Sequence, residues 1–333
     1  MRDTSIPSHR CYISNRRTTM QKTYYHASPE LLKQAFEIGR LLGQIKQQAR
    51  GDYKTPRAQV QHLRAILQLE GDSLSTEQLT AIQNNGPVIG PAEAIAKAER
   101  SLEVYRRIHE LDVHREQDLI RAYAVLTDAD TAEYRSDVPT QSDATVKYAL
   151  PTLPPPEQVA QRMRELFEYL RSDQDHIIIK SCVFHFELIC IQPFAMHNER
   201  MGRLWQSLAL QHYDSVFKAI SLPTLVEQQE GDYFTALHQS TCNGLCTPFI
   251  EFWLLTLRKA LQMHLKERKA TVPQDFAKRL GAYEKLLRGP SFSKADYATQ
   301  YDSLPLSTVQ QDLQRGEQLG YIQQQADGKY IFV

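Results

Sequence analysis

Residues 175–190 form the most apolar stretch of this 333-residue chain, and they limit what the chain can fold into. The stretch includes three consecutive isoleucines at positions 177–179 and contains neither glycine nor proline. It is shorter than the roughly 20 apolar residues that a helix needs to cross a bilayer. A helix that is apolar on all sides is normally buried. We therefore predict a buried central helix over residues 175–190 and no membrane span.

Apolar residues recur at helical spacing over most of the remaining chain, for example over Pro29–Arg50, Pro91–Leu111 and Glu157–Arg171. Residues 134–156 differ, because they contain few periodic apolar residues and end in a run of prolines. Such a segment favours an exposed hairpin or loop that leads into the next helix. The sequence therefore predicts a mainly α fold with one small β-hairpin.

The chain changes in character after about Pro273. Two short apolar segments, Gly320–Ile322 and Tyr330–Phe332, are joined by a polar turn at the very end of the chain. Three short helices precede them, and we predict these over Phe276–Leu287, Ser293–Tyr301 and Ser307–Leu319. Three helices followed by a terminal hairpin are typical of a winged helix, so we predict a winged helix-turn-helix domain over residues 273–333.

The charge balance and the cysteine content disfavour several classes of protein for this chain. The 39 Lys and Arg residues balance the 39 Asp and Glu residues, which argues against a strongly basic nucleic-acid coat protein. Five cysteines are too few for a disulfide framework and favour the cytoplasm. Cys242 and Cys246 have no second Cys/His pair at zinc spacing, so we predict no metal site. Residues 1–26 are polar without a signal-peptide core, so we expect disorder there, and Met20 offers an alternative start.

One stretch of thirteen residues is the most informative motif: Ile191-Gln192-Pro193-Phe194-Ala195-Met196-His197-Asn198-Glu199-Arg200-Met201-Gly202-Arg203. It resembles the signature of the Fic family, in outline His-Pro-Phe-x-Asp/Glu-Gly-Asn-Gly-Arg-x-x-Arg. Further stretches resemble the family in the same order, and together they cover about residues 27–270: Glu70-Gly71, Tyr134-Arg135 with prolines 154–156, Tyr233-Phe234 and Phe249–Trp253.

The resemblance implies a fold and an activity. It implies an N-terminal helical segment over residues 27–112 and a Fic-type helical core with a β-hairpin flap over 113–270. Fic proteins, which include many bacterial ones, transfer AMP from ATP to a hydroxyl group of a target protein. By this resemblance Asn198, Arg200 and Arg203 are nucleotide-binding residues, Glu70 is inhibitory, and the flap at about 138–152 docks a protein partner.

The match is damaged where the chemistry is expected. Gln192 occupies the position of the family's base, and a carboxamide cannot accept a proton at neutral pH. Met196 occupies the position of the acidic metal ligand, and a thioether is a poor ligand for Mg²⁺. His197 and Glu199 replace two glycines, where the family's backbone approaches phosphate closely. ATP is the ligand that the resemblance implies. The side chains of the loop, however, disfavour Mg²⁺.

Several residues keep two interpretations at this stage. Arg200 and Arg203 either grip a phosphate or belong to a structural network, since Glu199 and Arg203 have the i,i+4 spacing of an ion pair. Glu70 either inhibits by pairing with Arg203 or simply ends a helix before Gly71, because Ile66 replaces the inhibitory motif's Ser/Thr. His197 is either a relocated base or an exposed loop histidine.

The C-terminal domain also has alternative uses. Its predicted recognition helix carries Arg315 but also two acidic residues, Asp312 and Glu317, which disfavour DNA. The first helix has a basic face made by four residues: Lys278, Arg279, Lys285 and Arg288. Docking or homo-oligomerisation is therefore an alternative to DNA binding.

Three functions follow. The leading hypothesis is a degenerate Fic protein, deficient in AMP transfer, that acts as a regulatory or protein-binding module. The alternatives are a weak or altered transferase that uses ATP, and a DNA-binding regulator.

Overall fold

The fold is that of a computed structural model, which describes residues 24–48, 56–69, 71, 74–138, 153–271, 275–287, 289–301 and 304–333. The helices in these ranges are α1 (Pro29–Gln48), α2 (Pro56–Leu69), α3 (Thr76–Gln83), α4 (Ala92–Arg106), α5 (Glu116–Thr127), α6 (Pro156–Arg171), α7 (Ile177–Ile191), α8 (Asn198–Tyr213), α9 (Leu222–Gln228), α10 (Glu230–Asn243), α11 (Thr247–Thr271), α12 (Phe276–Leu286), α13 (Lys294–Gln300) and α14 (Leu306–Gln318). Two strands follow, β1 (Ile322–Gln324) and β2 (Tyr330–Phe332), and 3₁₀ turns lie at Ile108–Glu110 and Ser215–Ala219. The prediction of a mainly α fold is confirmed.

The described residues form two compact units, one within 1–35 and 54–256 and the other within 36–53 and 257–333. Each unit has its own buried core. The boundary between the units falls inside α1 and α11, so the domain limits expected near residues 112 and 270 stay predictions. None of the helices in the described ranges is long and apolar enough to cross a membrane.

Helix α7 is the buried central helix that its composition predicts. Nearly all of its side chains are inaccessible to solvent, including the core residues Phe186 and Ile189. Its largest interface is with α8, where Gly202 faces the His185 ring. A Cβ atom at Gly202 would overlap this ring and lie 3.1 Å from Nε2. The absence of a side chain at Gly202 therefore allows the two helices to approach closely.

Residues 24–26 belong to the segment predicted to be disordered, yet they make defined contacts. The Tyr24 carbonyl accepts a hydrogen bond from the Cys246 amide at 2.9 Å. The Tyr25 hydroxyl donates to the Asp175 carboxylate at 2.6 Å. The Tyr24 main chain and the Tyr25 phenol thus give this short segment partners that a count of polar residues does not reveal.

The C-terminal unit contains the predicted elements. Helices α12, α13 and α14 each lie within one or two residues of the predicted ranges, and β1 pairs antiparallel with β2. Phe292 extends the sheet by a bridge to Tyr330. The assignment of these elements to the winged-helix class stays a prediction.

One prediction about this unit is wrong. Arg279, expected on an exposed basic face, is buried and forms two hydrogen bonds of 2.6 Å with the Asp312 carboxylate on α14. A buried guanidinium requires such a partner, because an unpaired charge in the core is very costly. The pairing removes both charges from the surface.

Several predicted features lie outside the described residues. They are residues 1–23 of the segment expected to be disordered, Glu70, residues 139–152 with most of the predicted flap, and Arg288 of the predicted basic face.

We expect Gly202→Ala to destabilise the protein by about 1–3 kcal/mol, because the added methyl group must displace the His185 ring or the α8 backbone. Urea denaturation followed by far-UV circular dichroism measures this change. Gly231→Ala is the matched control, since nothing lies within 4 Å of its Cβ position in α10, and it should be neutral or stabilising. Equal effects of the two substitutions would contradict the close approach of α7 and α8.

Candidate functional site

The thirteen-residue motif forms the loop between α7 and α8 and the start of α8. The loop begins and ends with residues in the left-handed region: Gln192 has φ 45° and His197 has φ 61°. This conformation costs a non-glycine residue about 1–2 kcal/mol. The family's glycine would adopt it freely at position 197. The loop backbone thus keeps a turn that suits glycine although the side chain there is histidine.

Asn198 fixes the shape of the loop from within. Its Oδ1 accepts from the Phe194 amide at 3.0 Å, and its Nδ2 donates to the Phe194 carbonyl at 2.8 Å. The Phe194 ring is buried and stacks on Tyr123, with 3.9 Å between ring centroids. Both polar ends of the Asn198 amide are therefore occupied by the loop itself.

Arg135 fixes the loop from outside. Its guanidinium donates to the carbonyl oxygens of Gln192 at 2.7 Å, Pro154 at 2.6 Å and Asp137 at 2.9 Å, with a longer bond of 3.3 Å to Ile191. Its backbone amide donates to the Pro193 carbonyl at 2.8 Å. Burial lowers the pKa of Arg135, and the bonds to carbonyl oxygens at the C-terminus of α7 favour the cation. One side chain thus connects the motif loop to residues on either side of segment 139–152 in the sequence.

Gln192 and Met196 occupy the positions of the family's base and metal ligand, and they lie in different environments. Gln192 caps α7 and is half-buried, with its carbonyl oxygen held by Arg135. Met196 is 51% exposed at the tip of the loop. Within the described ranges, no group of three or more His, Cys, Asp and Glu side chains could hold a metal ion.

Arg200, on the first turn of α8, points into the protein. Only 2% of it is exposed, and its Nη2 donates to the Ser101 hydroxyl on α4. Ser101 is itself buried and donates to the Lys97 carbonyl. The contact joins α8 to α4 across 99 residues of sequence, and nothing in the local sequence pattern identifies Ser101 as the partner.

Arg203 is also buried, with 3% exposed, and its Nη1 lies 3.5 Å from the Glu199 carboxylate. The i,i+4 ion pair that the sequence predicts is therefore present. Tyr233 on α10 lies against the same pair: burial, and then the Glu199 charge, raise the pKa of its phenol, whereas Arg203 lowers it.

A chain of buried polar groups continues behind Arg203. The Tyr233 hydroxyl lies 3.3 Å from His185 Nε2, and His185 Nδ1 lies 2.8 Å from the Gln206 side-chain oxygen. Burial lowers the pKa of His185 to about 3, so its ring is neutral at pH 7. Sequence analysis did not identify these residues as part of the site, although a glycine inside a helix at position 202 signals a close contact.

We expect Arg135→Ala to destabilise the protein by about 2–4 kcal/mol, because it leaves several buried carbonyl oxygens without donors. Arg135→Lys should recover only part of the loss, since one ammonium group cannot reproduce the planar fork. Urea denaturation measures both. Arg107→Ala is the control, because this half-exposed arginine pairs only with surface carboxylates and should change stability by less than about 0.5 kcal/mol. A loss at Arg135 no larger than at Arg107 would contradict the role assigned to Arg135.

Comparison with known proteins finds a family model that is similar to the part of the chain containing this loop. Residues 100–210 match the model of the Fic/DOC family. No curated protein sequence matches the chain.

Solved structures share the fold. A Fic family protein from Desulfovibrio desulfuricans G20 has a TM-score of 0.66 at 24% identity, covering 94% of this chain and 98% of that one. A Fic domain containing signaling protein from Bacteroides thetaiotaomicron VPI-5482 has a TM-score of 0.51 at 16% identity, covering 70% and 95%. A Fic-1 fragment from C. elegans has a TM-score of 0.54 at 18% identity, covering 71% of each chain. The family model thus matches the part of the chain that contains α7, the motif loop and most of α8, and the solved structures show that the chain shares their fold.

Proposed function

We propose that this chain is a Fic/DOC-domain protein deficient in AMP transfer, in which the domain acts as a regulatory or protein-binding module. One observation carries the proposal: both arginines of the expected phosphate clamp are buried and engaged by the protein itself. Arg200 donates to Ser101, and Arg203 pairs with Glu199. A phosphate group would have to displace these partners before it could use either guanidinium.

Glu199 adds an electrostatic obstacle. Its carboxylate lies at the start of α8, where the family's glycine lets the backbone approach phosphate. Two like charges about 4 Å apart repel by about 4 kcal/mol at an effective dielectric constant of 20. This repulsion is comparable to the attraction that a surviving arginine would supply, so Glu199 disfavours the ligand that Arg203 would otherwise bind.

The side chains of the loop disfavour both general-base catalysis and a metal ion. Loss of a positioned general base typically costs 10²–10⁴-fold in rate, and the Gln192 amide cannot replace it. The residues present do not fit Mg²⁺ either, because Met196 offers a thioether and Glu199 is paired with Arg203. The donor set at this loop therefore disfavours a metal-assisted transfer step.

The protein-binding part of the proposal rests on Arg135. Its bonds hold Asp137 and Pro154, which flank segment 139–152 in the sequence, next to the motif loop, and these bonds do not involve a nucleotide. An extended partner could therefore still pair with this segment by strand addition, because main-chain hydrogen bonds do not need the catalytic residues. The alternative, a weak or altered transferase, requires Arg200 and Arg203 to exchange their internal partners for a nucleotide.

Transfer of label from α-³²P-ATP to protein tests the proposal. We expect no labelled protein from the natural chain, with or without added cell lysate, and we expect labelling from a restored chain that carries Gln192→His, Met196→Asp, His197→Gly and Glu199→Gly. The restored chain regains a base, a metal ligand and space for phosphate. Adding Arg203→Ala to the restored chain is the control, and it should abolish the label.

Labelled product from the natural chain that Arg203→Ala removes would overturn the proposal in favour of the transferase. A restored chain that stays folded but never transfers label would also count against it, because the four substitutions would then not be what prevents the reaction.

A further inference from the structure

A cavity of about 780 Å³ lies between α4 and α5, beside the end of α3. Its volume falls within the range of about 300–1,000 Å³ that is usual for small-molecule sites. The described residues that line it include none of the motif loop, because α4 turns different sides to the two places. Ser101 contacts Arg200 of the motif, whereas the preceding residue, Arg100, lines the cavity. The cavity is therefore a separate candidate site.

The most deeply buried residues of the lining are apolar. Ile82 and Leu102 are buried, and Ala124 and Val125 on α5 are half-buried. An apolar group of a ligand placed against them would remove this surface from water, which is favourable. The cavity thus suits a ligand with an apolar part.

Three arginines line the cavity: Arg100, Arg106 and Arg121. Arg106 and Arg121 each donate a hydrogen bond to an oxygen of the chain. The Nε of Arg100 is buried without a hydrogen-bond acceptor among the described residues, and its Nη1 lies 3.8 Å from the Asp128 carboxylate, beyond hydrogen-bond distance. Asp128 is 81% exposed, so solvent weakens this pair. Arg100 is therefore the guanidinium best placed to bind a carboxylate of a ligand.

Carboxylates line the same cavity. Four acidic side chains contribute to it: Glu99, Glu103, Asp128 and Asp130. The C-terminal ends of α3 and α5 also lie there, and the partial negative charge of a helix C-terminus favours a cationic group. These groups repel a ligand that is only an anion, and the three guanidinium groups repel a ligand that is only a cation. The charge pattern therefore favours a ligand that carries both charges.

We propose that this cavity binds a zwitterion of the amino acid or short-peptide class. Arg100 binds the carboxylate of the ligand, and Glu99, its neighbour on α4, binds the ammonium group. An apolar side chain of the ligand lies against Leu102 and Val125. This inference goes beyond the proposed function, because neither the motif loop nor a nucleotide takes part.

Calorimetric titration of the full-length protein with leucine and with the dipeptide Leu-Leu tests the class of ligand. We expect saturable binding of at least one of them, and the one that binds more tightly distinguishes a free amino acid from a peptide. The N-acetylated form of that ligand keeps only the carboxylate, and the amidated form keeps only the ammonium group. Each should bind at least about tenfold more weakly than the free ligand, because one charged group of the cavity then lacks its partner.

Two variants test the two charged contacts separately. Arg100→Ala should weaken binding of the free ligand at least about tenfold and remove its advantage over the amidated form. Glu99→Gln should remove the advantage over the N-acetylated form. Arg164→Ala and Glu168→Gln, at exposed positions on α6, are the matched controls and should change neither preference. Far-UV circular dichroism checks that the variants stay folded.

Three outcomes would overturn the proposal: neither leucine nor Leu-Leu binds, the blocked forms bind as tightly as the free ligand, or Arg100→Ala binds the free ligand like the natural protein. The first two use the natural protein alone, so they do not depend on how a variant folds. None of these outcomes bears on the labelling experiment, so the two proposals can fail independently.

Discussion

The candidate site depends most on the hydrogen bonds that the Arg135 guanidinium donates to carbonyl oxygens. It satisfies carbonyl oxygens at the end of α7, at the start of the motif loop and on both sides of segment 139–152. Buried carbonyl groups without donors are costly, and a cation is favourable at the C-terminus of a helix. The loop is therefore held next to Asp137 and Pro154 although several of its residues differ from the family pattern. Substitutions of the chemically important side chains of the loop can thus occur without loss of the hydrogen bonds that hold its backbone.

The cost of burying an unpaired charge also explains the partners of other buried arginines. A guanidinium inside a protein must find an acceptor, and among the described residues Arg200 finds it in Ser101, Arg203 in Glu199, and Arg279 in Asp312. In the motif these contacts use the groups that a phosphate would need. In the C-terminal unit the contact buries one acidic and one basic residue. The same physical constraint therefore acts in the motif and joins α12 to α14 in the C-terminal unit.

The parts of the structure that depend on local pattern were predictable from the sequence. The apolar composition of residues 175–190 predicts α7, helical periodicity predicts the long helices, and the i,i+4 spacing predicts the Glu199–Arg203 pair. Helix α9 was not predicted. Contacts between distant residues were also missed: Ser101 is 99 positions from Arg200, and Arg279 is 33 from Asp312. Such pairs form only when tertiary packing buries both groups, and no single-sequence pattern reports that.

Calorimetric titration of the purified protein with ATP, with and without Mg²⁺, tests the central claim most directly. If Glu199 and Ser101 occupy the two arginines, the natural chain should show no saturable heat of binding in either buffer. Glu199→Gly should then bind ATP, because it frees Arg203 and removes the opposing charge. Saturable binding by the natural chain that disappears in Arg203→Ala would contradict the account, because it would show that the phosphate clamp is still available.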